Sequence, residues 1–205
     1  MVCSANLGSR GLRQQGSNLR APAQNIAAKP DFWEKMSDTK QYLERLGGLT
    51  AGRDPLSIQE ITAPAIAALI QYEAEARLQV RPGPNKWSVV EIIAHLADDE
   101  LVSSWRFRQM LERPGCLLPG FDQDKWAAYG RYGEWNSQEA VDLFRLLRNG
   151  HLRMLRSLNS EDWMCYGEHA ERGLITVRSL AIHMAGHDLN HLEQIRSLLT
   201  DCAVV

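Results

Sequence analysis

RSLAIHMAGHDLNHLEQIRSLL, residues 178–199, sets three histidines one helical turn apart along an apolar stripe. Successive helical residues rotate by about 100°, so positions four apart keep nearly one face and drift by roughly 40° per step. His183, His187 and His191 therefore form a slanting column. The stripe itself is Val177, Leu180, Met184, Ile195 and Leu198. His191 falls near its centre, His187 inside its edge and His183 beyond it, so the inward pair is His187 with His191. Two imidazoles at i and i+4 can share one cation, but a stable site takes three or four protein ligands. A lone pair of this kind is more often a surface or hydrogen-bonded core feature than a metal site. The third ligand, if there is one, comes from elsewhere in the chain.

The chain has 205 residues, is 44% hydrophobic and carries a formal net charge of -2, which suits one globular domain with a sizeable core. Neither a basic excess nor aromatics interleaved with Lys and Arg is present, so nucleic acid is not an expected partner. No apolar run approaches the roughly 18 residues needed to span a membrane. Cys3, Cys116, Cys165 and Cys202 are scattered, with no CxxC pair, which reads as a reducing, cytoplasmic setting. Cys116 lies in a Pro/Gly loop with no neighbouring group in sequence to activate a thiolate.

Residues 1–35 are poor in apolar side chains and, up to Lys29, carry basic but no acidic residues. They read as a disordered extension or an over-long gene start, which leaves 36–205 as the folded domain. From there the pattern is helical. DTKQYLERL, residues 38–46, forms a short amphipathic piece ending at Gly47-Gly48. A long helix follows Pro55 with Ile58, Ile61, Ala65, Leu69 and Tyr72 on one face, and Pro82-Gly83-Pro84 stops the chain after it. Ser88 opens a second long helix through a capping box with Glu91. That helix runs to about Arg113 and buries Val89, Ile92, Ile93, Leu96, Phe107 and Met110, with His95 at the edge of the stripe.

A short helical turn is expected near residues 124–128. Asn136 or Ser137 then caps a third long helix to about Leu158, with Val141, Phe144, Leu147, Leu155 and Leu158 inward and His151 on the same face. Thr176 caps the fourth. Strand alternation is faint and confined to the surroundings of Ile175. Four long amphipathic helices imply an all-α four-helix bundle, a class that builds metal and cofactor sites from side chains of facing helices.

Two segments carry a resemblance. WSVVEIIAHLADDELVSSWRFRQML, residues 87–111, is similar to a family pattern of Trp, helix start and H-L-x-D-x-E. TVRSLAIHMAGHDLNHLEQIRSLL, residues 176–199, is similar to a closing helix with H-x-x-x-H-x-x-Q-I. In this order and separation they resemble the DinB/YfiT-like superfamily of metal-dependent four-helix-bundle proteins, over about residues 57–199. The resemblance implies a divalent metal, zinc or nickel, held by His95, His187 and His191. Three histidines leave an open coordination position, as catalytic sites do.

The resemblance also implies a homodimer. Characterised relatives include mycothiol-dependent maleylpyruvate isomerases and bacillithiol S-transferases, so the implied activity is metal activation of a low-molecular-weight thiol, in an S-transferase or isomerase reaction. A non-enzymatic stress or binding protein and a metal-dependent hydrolase are the other readings. Asp98, Gln194 and His183 stand near enough in sequence to support the ligands; Asp188 points to another face. His151 reads as a core histidine, His169 has no partner visible in sequence, and the tryptophans read as packing.

Overall fold

The computed structural model describes residues 30–201, with side chains described over 40–200. Four long helices form a ring, preceded by an outer helix. The outer helix, α1 (Pro30–Thr50), lies against the closing helix. Within the bundle come α2 (Pro55–Ile70), a single turn α3 (Glu75–Leu78), α4 (Val89–Glu112), the short α5 (Gln123–Tyr129), α6 (Ser137–Arg156) and α7 (Val177–Asp201). Around the ring, α2 packs on α7, α7 on α4, α4 on α6 and α6 on α2. The all-α four-helix bundle expected from the sequence is what the chain forms. No described helix is long and apolar enough to cross a membrane.

The caps form where side chains can take up orphan amides. Asp54 accepts from the Ser57 amide at 2.9 Å, just ahead of Pro55 at the first helical position. Ser88 and Glu91 make the reciprocal capping box. Asn136 accepts from the amides of Gln138 and Glu139, and Thr176 accepts from Ser179.

Three expectations need correction. First, α1 does not end at Gly47-Gly48 but continues to Thr50 and stops at Gly52, whose φ of +71° a side chain would disfavour. Two glycines weaken a helix, yet the fully buried Leu46 anchors this stretch against α7. Second, the buried face of α2 is Ile58, Gln59, Thr62, Ala63, Ile66 and Ile70, whereas Ile61 and Tyr72 are exposed. The apolar pattern misleads because two polar residues face inward with partners: Gln59 Nε2 donates to the Ala181 carbonyl at 2.9 Å and Thr62 Oγ1 to the Ile58 carbonyl.

Third, a small sheet is present. It comprises β1 (Cys116–Leu118), β2 (Tyr166–His169) and β3 (Gly173–Thr176), with β1 parallel to β2 and β2 antiparallel to β3. Strands of three or four residues are too short to show alternation in a sequence. The sheet leads directly into α7. The expected extension, residues 1–35, lies outside the described residues except for 30–35, where the α1 backbone already runs.

The apolar interior falls into two clusters. One joins Val89, Ile92, Ile93 and Leu96 of α4 to Ile66, Phe144, Leu192 and Ile195. The other, at the sheet end, joins Phe107 and Met110 to Leu118, Leu155, Ile175, Leu180 and Met184. Between them in sequence, on all four helices, lie buried polar residues: Gln59 and Thr62 on α2, Asp99, Glu100 and Ser103 on α4, Arg148 and His151 on α6, and His187, Asp188 and His191 on α7, while His95 sits within the first cluster's stretch of α4.

Candidate metal centre

The antiparallel α4 and α7 bring His95 opposite the pair His187 and His191. Their Nε2 atoms converge: His95 to His187 at 3.2 Å and His191 to His187 at 3.1 Å. One nitrogen from each ring lies within 4.8 Å of the others, and all three residues are buried. Burial pushes His95 down to about 3 and His191 to about 4, and holds His187 well below the ordinary histidine range, with the neighbouring rings adding to the effect on His95 and His187. The rings are therefore neutral at pH 7, the form that ligates metal.

Protonation logic tests whether a metal fits. Gln194 Oε1, which can only accept, lies 2.9 Å from His191 Nδ1, so Nδ1 carries the hydrogen and Nε2 presents a bare lone pair. His187 Nε2 faces two neighbours with one in-plane position, either a hydrogen or a lone pair. No assignment of one proton per ring gives both close contacts a well-aligned hydrogen bond. A shared cation removes the conflict, and a tetrahedral site with zinc–nitrogen bonds near ~2.0–2.1 Å separates its ligands by about 3.3 Å, close to the spacing found. The donor set fits a divalent ion.

The surroundings hold the rings in place. Trp87 lies against His95, its ring centre 4.9 Å away. Asp99 Oδ2 stands 3.5 Å from His187 Nδ1, just beyond a formed hydrogen bond, and Nδ1 has no other partner. Burial lifts the Asp99 carboxyl to about 7, against the opposing pull of Arg106. The sequence places Asp99 and Arg106 near His95 on α4 but gives Asp99 no role. The available signal was its position four residues after His95, on the same face.

Other candidates part company with the cluster. Asp98 accepts from the Tyr132 hydroxyl instead of supporting a histidine. Asp188 forms a two-point pair with Arg148 at 2.5 and 3.0 Å, and Arg148 also donates to Glu100 at 2.8 Å and to the Gln59 carbonyl at 2.9 Å. His151 sits in the core, 2.6 Å from Glu100 and edge-on to Phe107. His183 stacks on His187 from one turn away, at 6.1 Å between ring centres, and does not join the three. His169 is buried on β2, where its Nδ1 accepts from the Glu171 amide. Cys116 and Cys165 are free thiols and only partly buried.

The histidines are reached from outside. A cavity of about 470 Å³ bordered by Tyr42, Trp87 and Gln194 touches His187 and His191. A second, of about 640 Å³, touches His95 and His187 and extends past Asp99 to Arg106 and Arg172. A larger cleft, about 870 Å³ beside Arg81 and Tyr132, contains none of the three histidines.

Comparison with known proteins adds three findings. Residues 58–195 match the model of the DinB superfamily. A protein of Oceanobacillus iheyensis described as a "putative metal-dependent hydrolase" is 26% identical over 113 residues, which is 55% of this chain and 64% of that protein. The match thus spans under two thirds of that relative's length. The solved structure of YfiT from Bacillus subtilis, described as "a probable metal-dependent hydrolase with an unusual four-helix bundle topology", aligns with a TM-score of 0.69 at 17% identity, over 73% of this chain and 86% of YfiT. At that identity the likeness is one of fold.

Proposed function

The chain belongs to the DinB superfamily, and on that footing we propose that it is a metal-dependent hydrolase with His95, His187 and His191 as the metal ligands. The observation that carries the reading is the convergence of three buried, neutral imidazole nitrogens beside an open cavity. A divalent cation there supplies Lewis acidity, polarising an oxygen or carbonyl at its open position. The rest is the work of the chain's own residues. Gln194 holds the proton of His191 on Nδ1 and so keeps Nε2 free. Asp99 Oδ2 faces His187 Nδ1 and limits the rotation of that ring. Trp87 packs against the His95 ring and helps fix its orientation. The hydrolase descriptions of the two similar proteins favour water over a thiol as the activated group. The thiol reading uses the same ligands and is an outcome of the test.

Purified protein is expected to carry about one divalent ion per chain by elemental analysis. Alanine at position 95, 187 or 191 should remove most of it, while His183→Ala should not. Metal kept by His187→Ala but lost from His183→Ala would move the site one turn and overturn the assignment. Metal-dependent cleavage of simple esters or amides supports the hydrolase reading. Proton-releasing binding of glutathione, mycothiol or bacillithiol, without such cleavage, would replace it with a thiol transferase.

A further inference from the structure

The cavity beside the histidines runs to two arginines, and this inference rests on the hydrolytic reading of that site. Arg106, on α4, is 5% exposed. One of its amino groups donates to the Pro119 carbonyl at 2.8 Å, and its guanidinium lies 5.8 Å above the Phe121 ring centre. Arg172 comes from the turn between β2 and β3 and is partly buried. The Nε of each is buried without a hydrogen-bond partner, and among the described residues neither makes an ion pair. The contrast is Arg148, deeper in the protein, which two carboxylates and a carbonyl saturate.

An unpaired buried charge is among the costliest features a fold can keep. Here one buried and one partly buried guanidinium, each with its Nε unpartnered, border one space. Among the described residues Asp99 is the only buried carboxylate on its wall; it faces His187, and its charge also attracts both arginines without forming an ion pair with either. The other acids there, Asp122, Asp124 and Glu171, are on the exposed rim, where water and salt weaken their hold on the interior; Asp122 is also paired with Lys125 at 3.2 Å. His169 and His183 border the same space and add no negative charge.

We infer that the substrate carries an oxyanion group, a carboxylate or a phosphate, which seats against Arg106 and Arg172 while its reacting end reaches His95 and His187. Guanidinium groups present paired N–H donors that match such oxyanions. Anchoring the charged end fixes the distance from the anion to the histidines, and selection is then for acidic molecules of small size. Neutral analogues lack the anchor.

The test is calorimetric titration of the full chain with succinate, with inorganic phosphate and with uncharged succinamide at constant ionic strength. One of the two anions should bind once per chain and succinamide should not; which anion binds tighter identifies the class. Arg106→Gln and Arg172→Gln should each weaken that binding about tenfold or more, and Arg172→Lys should recover part of it. Arg106 also holds the Pro119 carbonyl, so if Arg106→Gln loses helicity, the Arg172 pair of variants decides. The inference is overturned if neither anion binds, if Arg172→Gln binds as wild type does, or if binding disappears in a folded His191→Ala. Anion binding that depends on the arginines in a protein that takes up no metal would sink the hydrolase reading while leaving the anion site standing.

Discussion

Gln194 shows how much a single amide can decide. It makes one hydrogen bond, at 2.9 Å, to the far nitrogen of His191, and that bond fixes which nitrogen faces the other two rings. Replacing it with alanine should lower metal affinity by about 10- to 100-fold while circular dichroism stays unchanged, as competition with a chelator would measure. At this scale the sequence was informative wherever residues shared a helix. His187 and His191 are separated by one turn and lie on an apolar stripe, so a helical wheel brings them together. His95 sits at the edge of its stripe, and only the family resemblance singled it out. Arg172 was invisible because it enters from a turn between two strands, and no periodicity connects such a residue to a helix.

Among the elements, α1 and α7 approach each other closely. A Cβ at Gly186 would stand 2.6 Å from the Leu46 carbonyl oxygen and 2.8 Å from the Leu46 Cβ, so the two backbones touch where only a glycine fits. Gly186→Ala gains helix propensity of up to about 1 kcal/mol, against an overpacking cost of about 1–3 kcal/mol. The net expectation is a fall in melting temperature of a few degrees, measured by scanning calorimetry. Gly186 directly precedes His187, and Tyr42 of α1 borders both cavities beside the histidines, so the displaced helix should also widen the entrance. The caps at Asp54, Ser88, Asn136 and Thr176 were legible because side chain and helix start are adjacent in sequence. The sheet was not, since its pairing of Cys116 with Gly167 joins residues far apart in sequence, with the whole of α6 between them.

Across the whole molecule, stability is tied to a charge inside it. Burial alone would raise the Glu100 carboxyl, but Arg148 and His151 outweigh that and bring it down to about 2 from an ordinary 4.5. A depressed carboxylate contributes stability above its unfolded pKa and loses that contribution as pH falls, here between about 4.5 and about 2. Arg148→Met leaves Glu100 and Asp188 buried without their cation and should cost about 3–5 kcal/mol near neutral pH. In that variant burial raises both carboxyls, so protonation relieves it. Denaturant titrations should show the gap between wild type and variant narrowing as pH is lowered, and a gap that widened would refute the account. A helical wheel of α6 does place Arg148 between Phe144 and His151, a signal that an apolar-pattern reading discards.

The buried polar residues that lie between the two apolar clusters also bear on how the chain finds its fold. Two oily halves would tolerate a helix sliding by a turn or trading places with its neighbour, because apolar packing is forgiving of exchange. Arg148 is not, for it must meet Gln59 of α2, Glu100 of α4 and Asp188 of α7 at once. A misthreaded bundle would strand at least one of these charges in the dry interior. The network thus acts as a proofreader of helix order during collapse, and the histidines, carried on the same two helices as Glu100 and Asp188, are brought into register by the same check.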